Sequence, residues 1–329
     1  MTAHPQPVPA ARLAAPWSLG AVPAPATLAT LPTSVWVTAQ KDARNQRRER
    51  YTPASAAHPA KMLPAIAAHA IATYTAPGEL VLDPMCGIGT TLVEAVHLGR
   101  NAVGVELESR WTAVARANLA FARAQGATGN ARVKTGDARH THSLVDASHR
   151  GRVQLLLTSP PYGASVHGQV RATRETGRSG IGKFDTSYGS NPANLAHAPT
   201  DDLLDAFTAI LTSCLPLLAP GAHVAVTARP WRHQGELVDL PAAVIAAGQA
   251  VGLTPVERCV ALLAGVRDGE LVARPSFFQL QNVRTARAAG VPMHLIVHQD
   301  VLVFTKPAAA KGLGGRQAEG DSATSGGTW

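Results

Sequence analysis

Leu80-Val81-Leu82-Asp83-Pro84-Met85-Cys86-Gly87-Ile88-Gly89-Thr90-Thr91-Leu92-Val93-Glu94 is the stretch that decides the fold. Its apolar start reads as a short buried strand running into Asp83. A Gly-x-Gly turn follows at Gly87 and Gly89, and a helix opens near Thr90. Glycines let the backbone turn tightly and come close to a ligand. A Gly-x-Gly between a strand and a helix has the context that such a ligand site needs. The third glycine of the dinucleotide fingerprint is missing, and there is no Gly-Lys-Ser/Thr of a P-loop.

Three further strand ends share the pattern. Ala102 to Val105 runs into Glu106, an acid placed to accept hydrogen bonds from both hydroxyls of a ribose. Ala131 to Lys134 is followed by Gly136-Asp137, where a carboxylate could accept from an adenine amino group. The apolar run Val153 to Leu157 leads into Thr158-Ser159-Pro160-Pro161-Tyr162. Two consecutive prolines stop a sheet ladder, since neither donates a backbone N–H, and each holds its predecessor extended. The product is a rigid platform at the carboxyl end of a strand, where open α/β sheets put their ligands. Ser159 supplies a hydroxyl, Ser159 and Pro160 supply free carbonyls, and Tyr162 supplies a flat ring: acceptors for the protons of a planar amine and a face to stack on. Alone, such a stretch can be an ordinary turn; the glycine motif upstream gives it weight.

The chain resembles the class I S-adenosylmethionine-dependent methyltransferases, and the platform resembles the Ser-Pro-Pro-Tyr motif of amino-group DNA methyltransferases. The resemblance covers roughly residues 58 to 306. It implies an α/β, Rossmann-like class I methyltransferase fold: a mostly parallel seven-stranded sheet with helices on both faces and loop insertions. It implies S-adenosyl-L-methionine as cofactor, held by Asp83, Cys86, Gly87, Gly89 and Thr90 at its methionine end, Glu106 at the ribose and Asp137 at the adenine. His58-Pro59-Ala60-Lys61 resembles the His-Pro-x-Lys element of the same enzymes, which adds Lys61 to the cofactor side; a plain capping turn before a helix is the other reading. Ser159, Pro160, Pro161 and Tyr162 would hold the target amine. Ser at the first platform position is closer to cytosine-N4 than to adenine-N6 enzymes. Two features depart from the pattern. In many Ser-Pro-Pro-Tyr enzymes the platform precedes the cofactor motif, whereas here it follows. The segment from Asp83 to Glu94 also resembles RNA methyltransferases that modify a guanosine amine in tRNA, though those carry Asp or Asn before Pro-Pro-Tyr. DNA is the expected partner, with RNA the alternative and an inactive nucleic-acid-binding relative a third.

Composition agrees with a globular protein, at 329 residues and 46% hydrophobic content. A formal charge of +8 leans towards polyanions. Cys86, Cys214 and Cys259 are far apart with no metal spacing, and read as reduced intracellular thiols. No metal site is expected, and His294 and His298, on one face of a final strand from 294 to 304, read as satisfied strand histidines. No targeting or membrane segment is evident, and a cytoplasmic protein is expected. Residues 1–34 and 307–329, biased to Pro/Ala and to Ala/Gly/Ser, are expected to be disordered tails around a single domain at 35–306. Lys41 to Arg50 is a solvated charged face or a phosphate-contacting arm, with Tyr51 beside it for stacking. Glu94 is expected to be structural or solvent-facing.

Helices are expected at 63–74, 89–99, 108–123, 201–218 and 240–250, with strands at 223–228 and 256–263, the βαβ alternation of a parallel sheet. The pattern fails between Gly163 and Pro199, where Arg171, Arg174, Arg178 and Lys183 accompany Phe184 and Tyr188. This is read as a flexible lid that orders on nucleic acid, with the turn-rich segment from Tyr188 to Leu195 docking back on the catalytic face. Arg229 and Arg232, with Trp231, lie at a strand end and are candidate substrate contacts. A second basic insertion, 265–292, is read as an irregular accessory recognition element. Carbon-5 methylation of cytosine would need a thiolate near Tyr162, and no cysteine is close in sequence.

Overall fold

The computed structural model describes residues 32–161, 169–172, 181–184, 189, 191, 193–195, 200–233, 236–275 and 277–308; residues 169–172, 181–184 and a few at element ends are described by backbone alone. The expected tails therefore fall outside the described residues for 1–31 and 309–329. In chain order the elements are β1 (Val35–Trp36), α1 (Ala43–Arg47), α2 (Pro64–Tyr74), β2 (Leu80–Asp83), α3 (Thr90–His97), β3 (Asn101–Glu106), α4 (Ser109–Ala124), β4 (Ala131–Thr135), α5 (Thr141–Leu144) and β5 (Val153–Thr158). There follow β6 (Gln169–Ala172), β7 (Ile181–Phe184), α6 (Thr200–Cys214), β8 (Leu218–Ala228), β9 (Trp231–His233), β10 (Glu236–Val238), α7 (Leu240–Ala250), β11 (Thr254–Leu262), β12 (Ala264–Arg267), β13 (Glu270–Ala273), α8 (Phe277–Ala288) and β14 (His298–Thr305).

Local chemistry sets these boundaries. Pro64 opens α2, where its missing N–H costs nothing, and Leu63 before it is extended. Asp239 caps α7 by accepting from Ala242 N. Gly89, at φ 81°, turns the chain into α3, a left-handed position that an L side chain would strain.

The main sheet has eight strands in the order β1-β11-β14-β8-β5-β2-β3-β4. Within it, β14 is the strand that runs antiparallel to its neighbours β11 and β8. Successive strands step outward from β2 through β3 to β4, then return to β5 on the other side of β2. That reversal between β2 and β5 is a topological switch point, where crossovers diverge and leave a crevice at the strand carboxyl ends. Apolar side chains fill both faces: Leu82, Leu156, Val224, Val226, Leu302 and Phe304 pack with Phe207 and Ile210 of α6 and Val244 of α7. Val81, Leu155, Leu157 and Val303 pack on the opposite face with Ile66 and Ile71 of α2 and Leu92 of α3.

Several expectations change. The sheet has eight strands rather than seven, because Val35 and Trp36 pair with Val260 and Ala261 at its edge. The strand expected from His223 begins at Leu218, and its register with β5 shifts around Pro220 and Gly221, so the turn lies inside the strand. Residues 265–292 are not irregular: β12 and β13 form an antiparallel hairpin and α8 follows. β14 begins at His298, so His294 lies outside it and the two histidines do not share a strand face. Within 163–199, β6 and β7 pair through Val170↔Lys183 and Arg171↔Gly182. No helix among the described residues is long and apolar enough to cross a membrane.

Candidate active site

A cavity of about 690 Å³ opens at the switch point, between the ends of β2, β3 and β5. Asp83, Cys86, Gly87, Thr90, Glu106, Asp137, Lys61, Ser159, Pro160, Pro161 and Arg229 all line it. Gly89 sits just behind, packed on Ala115 of α4. Tyr162, Arg174 and Arg178 lie outside the described residues, as do the side chains of Arg171, Lys183 and Arg232.

Asp83 is the buried junction of the site. Its Oδ1 accepts from Thr158 Oγ1 at 2.9 Å and from Met85 N at 3.1 Å, and its Oδ2 accepts from Thr91 Oγ1 at 2.7 Å. One carboxylate thus ties the ends of β2 and β5 to α3. Burial pushes its pKa up to about 6, while the three donors hold it back. Thr158, a polar residue closing an apolar strand, was not singled out in the sequence; its position beside the platform was the available signal.

Glu106 spans the glycine turn. Its Oε2 accepts from Gly87 N at 2.8 Å and its Oε1 from Glu108 N at 2.9 Å. Burial pushes this carboxyl up to about 7, opposed by the two backbone N–H groups. An ionised carboxylate has about four acceptor sites, so each oxygen keeps one for a ligand. Asp137 differs: Arg139 grips both of its oxygens, at 2.5 to 3.1 Å, and its own cap bond comes from Arg139 N. Partial burial works against its charge, but the Arg139 contacts prevail and hold it below the usual carboxylate range.

His58 and Lys61 form the opposite wall. His58 is buried, edge-on to Trp111 at 4.6 Å, and 3.1 Å from where a Cβ on Gly87 would stand. Gly87 has φ 52°, so both its conformation and its neighbour exclude a side chain. Burial, then Lys61, drives the imidazole down to about 3, so His58 is neutral. Lys61 Nζ donates to His58 O at 2.5 Å, and burial followed by Arg47 lowers it to about 8.

Cys86 lines the cavity, yet its sulfur packs on Gly104, where a Cβ would come within 2.8 Å. Burial keeps the thiol well above its ordinary pKa, with Asp83 and Glu106 adding to it. It is therefore not the thiolate that carbon-5 chemistry requires.

Other lining residues come from segments the sequence left ambiguous. Glu108 Oε1 accepts from Asn191 N at 3.2 Å and Asn194 Nδ2 at 3.0 Å, and Asn194 and Leu195 line the cavity, so these described residues sit on the catalytic face. The 41–51 run is a solvated face only in part: Lys41, Arg44, Arg48 and Glu49 are exposed, whereas its end turns inward. Arg50 pairs with the buried Glu94 at 2.5 Å, Tyr51 is buried and donates to Glu94 at 2.7 Å, and Arg47 donates to Met62 O. Tyr51 is thereby removed from any stacking role on nucleic acid. Arg44 does reach the cavity, as does Arg274 from the end of the β12–β13 hairpin. Among the described residues no cluster of His, Cys, Asp or Glu could hold a metal ion.

The cavity fits S-adenosylmethionine on these observations: side-chain-free backbone at Gly87, two spare acceptor sites on Glu106, and a volume in the usual range for small-molecule sites. A family model described as DNA methylase, of the N6/N4 amino-group type, matches residues 25–116, the segment holding the glycine turn and Glu106. A tRNA (guanine(10)-N2)-dimethyltransferase of Methanocaldococcus jannaschii is 30% identical over 122 residues, 36% of this chain and 34% of that protein. Its counterpart in Methanothermobacter thermautotrophicus is 35% identical over 89 residues, 27% of this chain and 24% of that one. The chain thus spans about a quarter to a third of the length of these curated relatives. Among solved structures, TrmN from Thermus thermophilus covers 79% of this chain and 53% of its own, at 20% identity and a TM-score of 0.45. The match to the amino-group DNA methylase model thus falls on residues 25–116, and the cavity lies at the switch point of an open, mostly parallel α/β sheet.

Proposed function

We propose that the protein transfers methyl to an exocyclic amino group of a nucleic-acid base, with cytosine N4 of DNA the first choice and adenine N6 the next. The observation that carries this reading is that Ser159, Pro160 and Pro161 line the same cavity as Gly87 and Glu106. An amine acceptor and the proposed cofactor cradle are thereby within one enclosure.

The cofactor, when bound, supplies an electrophilic methyl on a sulfonium. Glu106 would accept from its ribose hydroxyls, Gly87 gives the backbone room, and Asp137 faces the adenine side with its charge already balanced by Arg139. Ser159 and the Pro160 carbonyl would accept hydrogen bonds from the two N–H groups of the target amine. That draws the nitrogen towards tetrahedral geometry and localises a lone pair otherwise delocalised into the ring. The nitrogen–methyl bond forms as the sulfur–methyl bond breaks, leaving a neutral thioether, and one N–H proton is then released to solvent. Much of the acceleration is then orientation of two reactants in one cavity. Thr158, anchored to Asp83, keeps the platform from drifting relative to the glycine turn. A base paired in a duplex cannot enter, so it must flip out at a cost of about a few kcal/mol. Stacking on Tyr162 would return about 1–3 kcal/mol of that.

A second reading is favoured by the curated relatives that act on the N2 amine of a tRNA guanine. The same acceptor platform suits that amine. Transfer of labelled methyl to genomic DNA and to bulk tRNA, followed by digestion to nucleosides, separates the two, with Ser159→Ala and Tyr162→Ala as controls. N4-methylcytosine lost in both variants supports the first reading. N6-methyladenine changes the base but not the chemistry, and N2-methylguanosine in tRNA alone overturns DNA as substrate.

A further inference from the structure

The outer edge of the sheet carries a second concave surface, away from the cavity. A groove of about 430 Å³ lies between α4 and β4, lined by Arg116, Arg123, Arg132 and Lys134 together with apolar residues that include Leu119 and Val133. All four cations are exposed, and no acidic residue lines the groove. None of the four forms an ion pair with a described residue. Helix α4 contains three arginines and no acid from Ser109 to Ala124. Asp146 interacts with Lys134, but its carboxyl is held low first by the hydrogen bonds from Ser148 and only then by His149 and Lys134.

The spacing is regular. Arg116 and Arg123 are seven residues apart on one face of α4, about 10 Å along its axis. Arg132 and Lys134 are two apart on β4 and share a face, about 7 Å apart. Helix α4 contributes to both the cavity and the groove. It begins beside the cavity, and Trp111 in its first turn is a lining residue. Arg116 and Arg123 then lie about 8 Å and 18 Å further along the helix. A stacked nucleic-acid strand rises about 3.4 Å per nucleotide, so the groove corresponds to phosphates about two to five nucleotides from the cavity.

We propose that this groove is a second phosphate-binding tract that holds the backbone of the nucleic-acid substrate beside the target base. The proposal rests on the reading of the substrate as nucleic acid. Its chemistry is charge neutralisation without base readout, so it lengthens the footprint without setting the target sequence. It explains why four cations are left without carboxylate partners beside an open sheet edge. Arg116 also donates to Val133 O at 3.2 Å, which covers part of that edge; protection against edge-to-edge association is the competing role.

The test is fluorescence anisotropy with labelled 30-base-pair duplex DNA and, in parallel, folded tRNA, without cofactor, between 50 and 200 mM salt. Wild type is compared with Arg116→Gln/Arg123→Gln, Arg132→Gln/Lys134→Gln and the fourfold variant, with thermal melting to establish folding. Each lost phosphate contact lowers the slope of log affinity against log salt by about 0.9, so each pair should lose about 1.8 and the fourfold variant about 3.6. The nucleic acid whose slope falls identifies the partner. Methyl transfer to a duplex ending within two nucleotides of the target should be unchanged in the variants. Transfer to the long one should fall through KM, with kcat preserved. Unchanged slopes on both nucleic acids, or no binding of either by wild type, overturn the proposal; unchanged slopes with new self-association assign the cations to edge protection. Because binding is read without methyl transfer, failure of the substrate reading shows separately, as wild type that binds but methylates neither.

Discussion

Replacing Glu106 by Gln separates the two things this residue is asked to do. In the fold, its oxygens accept from Gly87 N and Glu108 N. Gln keeps one acceptor and turns an NH₂ towards the other N–H, leaving a partly buried donor unmet at about 1–3 kcal/mol. Against this stands relief of a buried charge. A carboxyl raised from 4.5 to about 7 carries about 3 kcal/mol against its ionised form, at about 1.4 kcal/mol per pH unit. The two effects offset, so stability at pH 8 should change by about 1–2 kcal/mol at most. The sign of the pH dependence follows from the raised folded pKa. The stability Glu106 contributes is fully present below its unfolded pKa and is lost as pH rises through about 7. Glu106→Gln should flatten that slope between pH 5 and 8. Cofactor affinity behaves differently, since ribose hydroxyls need the ionised acceptor. Wild-type affinity should rise with pH through about 7 and level off above 8. Loss of a charge-assisted bond worth about 1.5–3 kcal/mol should weaken Glu106→Gln by about 10- to 150-fold at pH 8. Calorimetric titration with S-adenosylmethionine at pH 6, 7 and 8, alongside thermal melting, reads both. Affinity within threefold of wild type at pH 8, with melting unchanged, refutes a ribose role; a melting point many degrees lower would make Glu106 a structural brace first.

Three further outcomes follow from the same geometry. Thr158→Val removes one of three donors from the buried Asp83, and should cost about 1.5–3 kcal/mol at pH 8 but less at pH 5, where Asp83 is largely protonated; equal losses in urea titrations at both pH values would contradict the assignment. Arg50→Met leaves Glu94 buried with Tyr51 as its remaining described donor. Since Arg50 is about one-third exposed, the cost should be about 2–3 kcal/mol, less than for a fully buried pair, and Arg50→Met/Glu94→Gln should recover part of it. Gly89→Ala places a side chain at φ 81°, 3.2 Å from Ala115 Cβ, and should destabilise by about 2–3 kcal/mol while weakening cofactor binding; full stability would mean the turn relaxes freely.

Much of this protein is determined by its local sequence. The glycine turn between a strand and a helix, the acids ending β3 and following β4, and the double proline ending β5 are each short-range signals, because φ restriction and missing N–H groups act within a residue or two. Strand and helix periods then imply a parallel sheet, and a parallel sheet brings those strand ends to one edge. What the tertiary structure decided was every pairing that depends on burial. Whether Arg50 meets solvent or Glu94, and whether Tyr51 stacks on a ligand or donates inward, is set by α3 packing over that segment, and nothing within the basic run encodes it. The order in 264–288 has the same origin. Val266 N donates to Gln40 Oε1 and Arg274 to Gln40 O, so the hairpin is held by a segment more than two hundred residues earlier. Asp83 carries both lessons. Its place at a strand end was legible, but its role as the joint between Thr91 and Thr158 required two distant hydroxyls to be buried against one carboxylate.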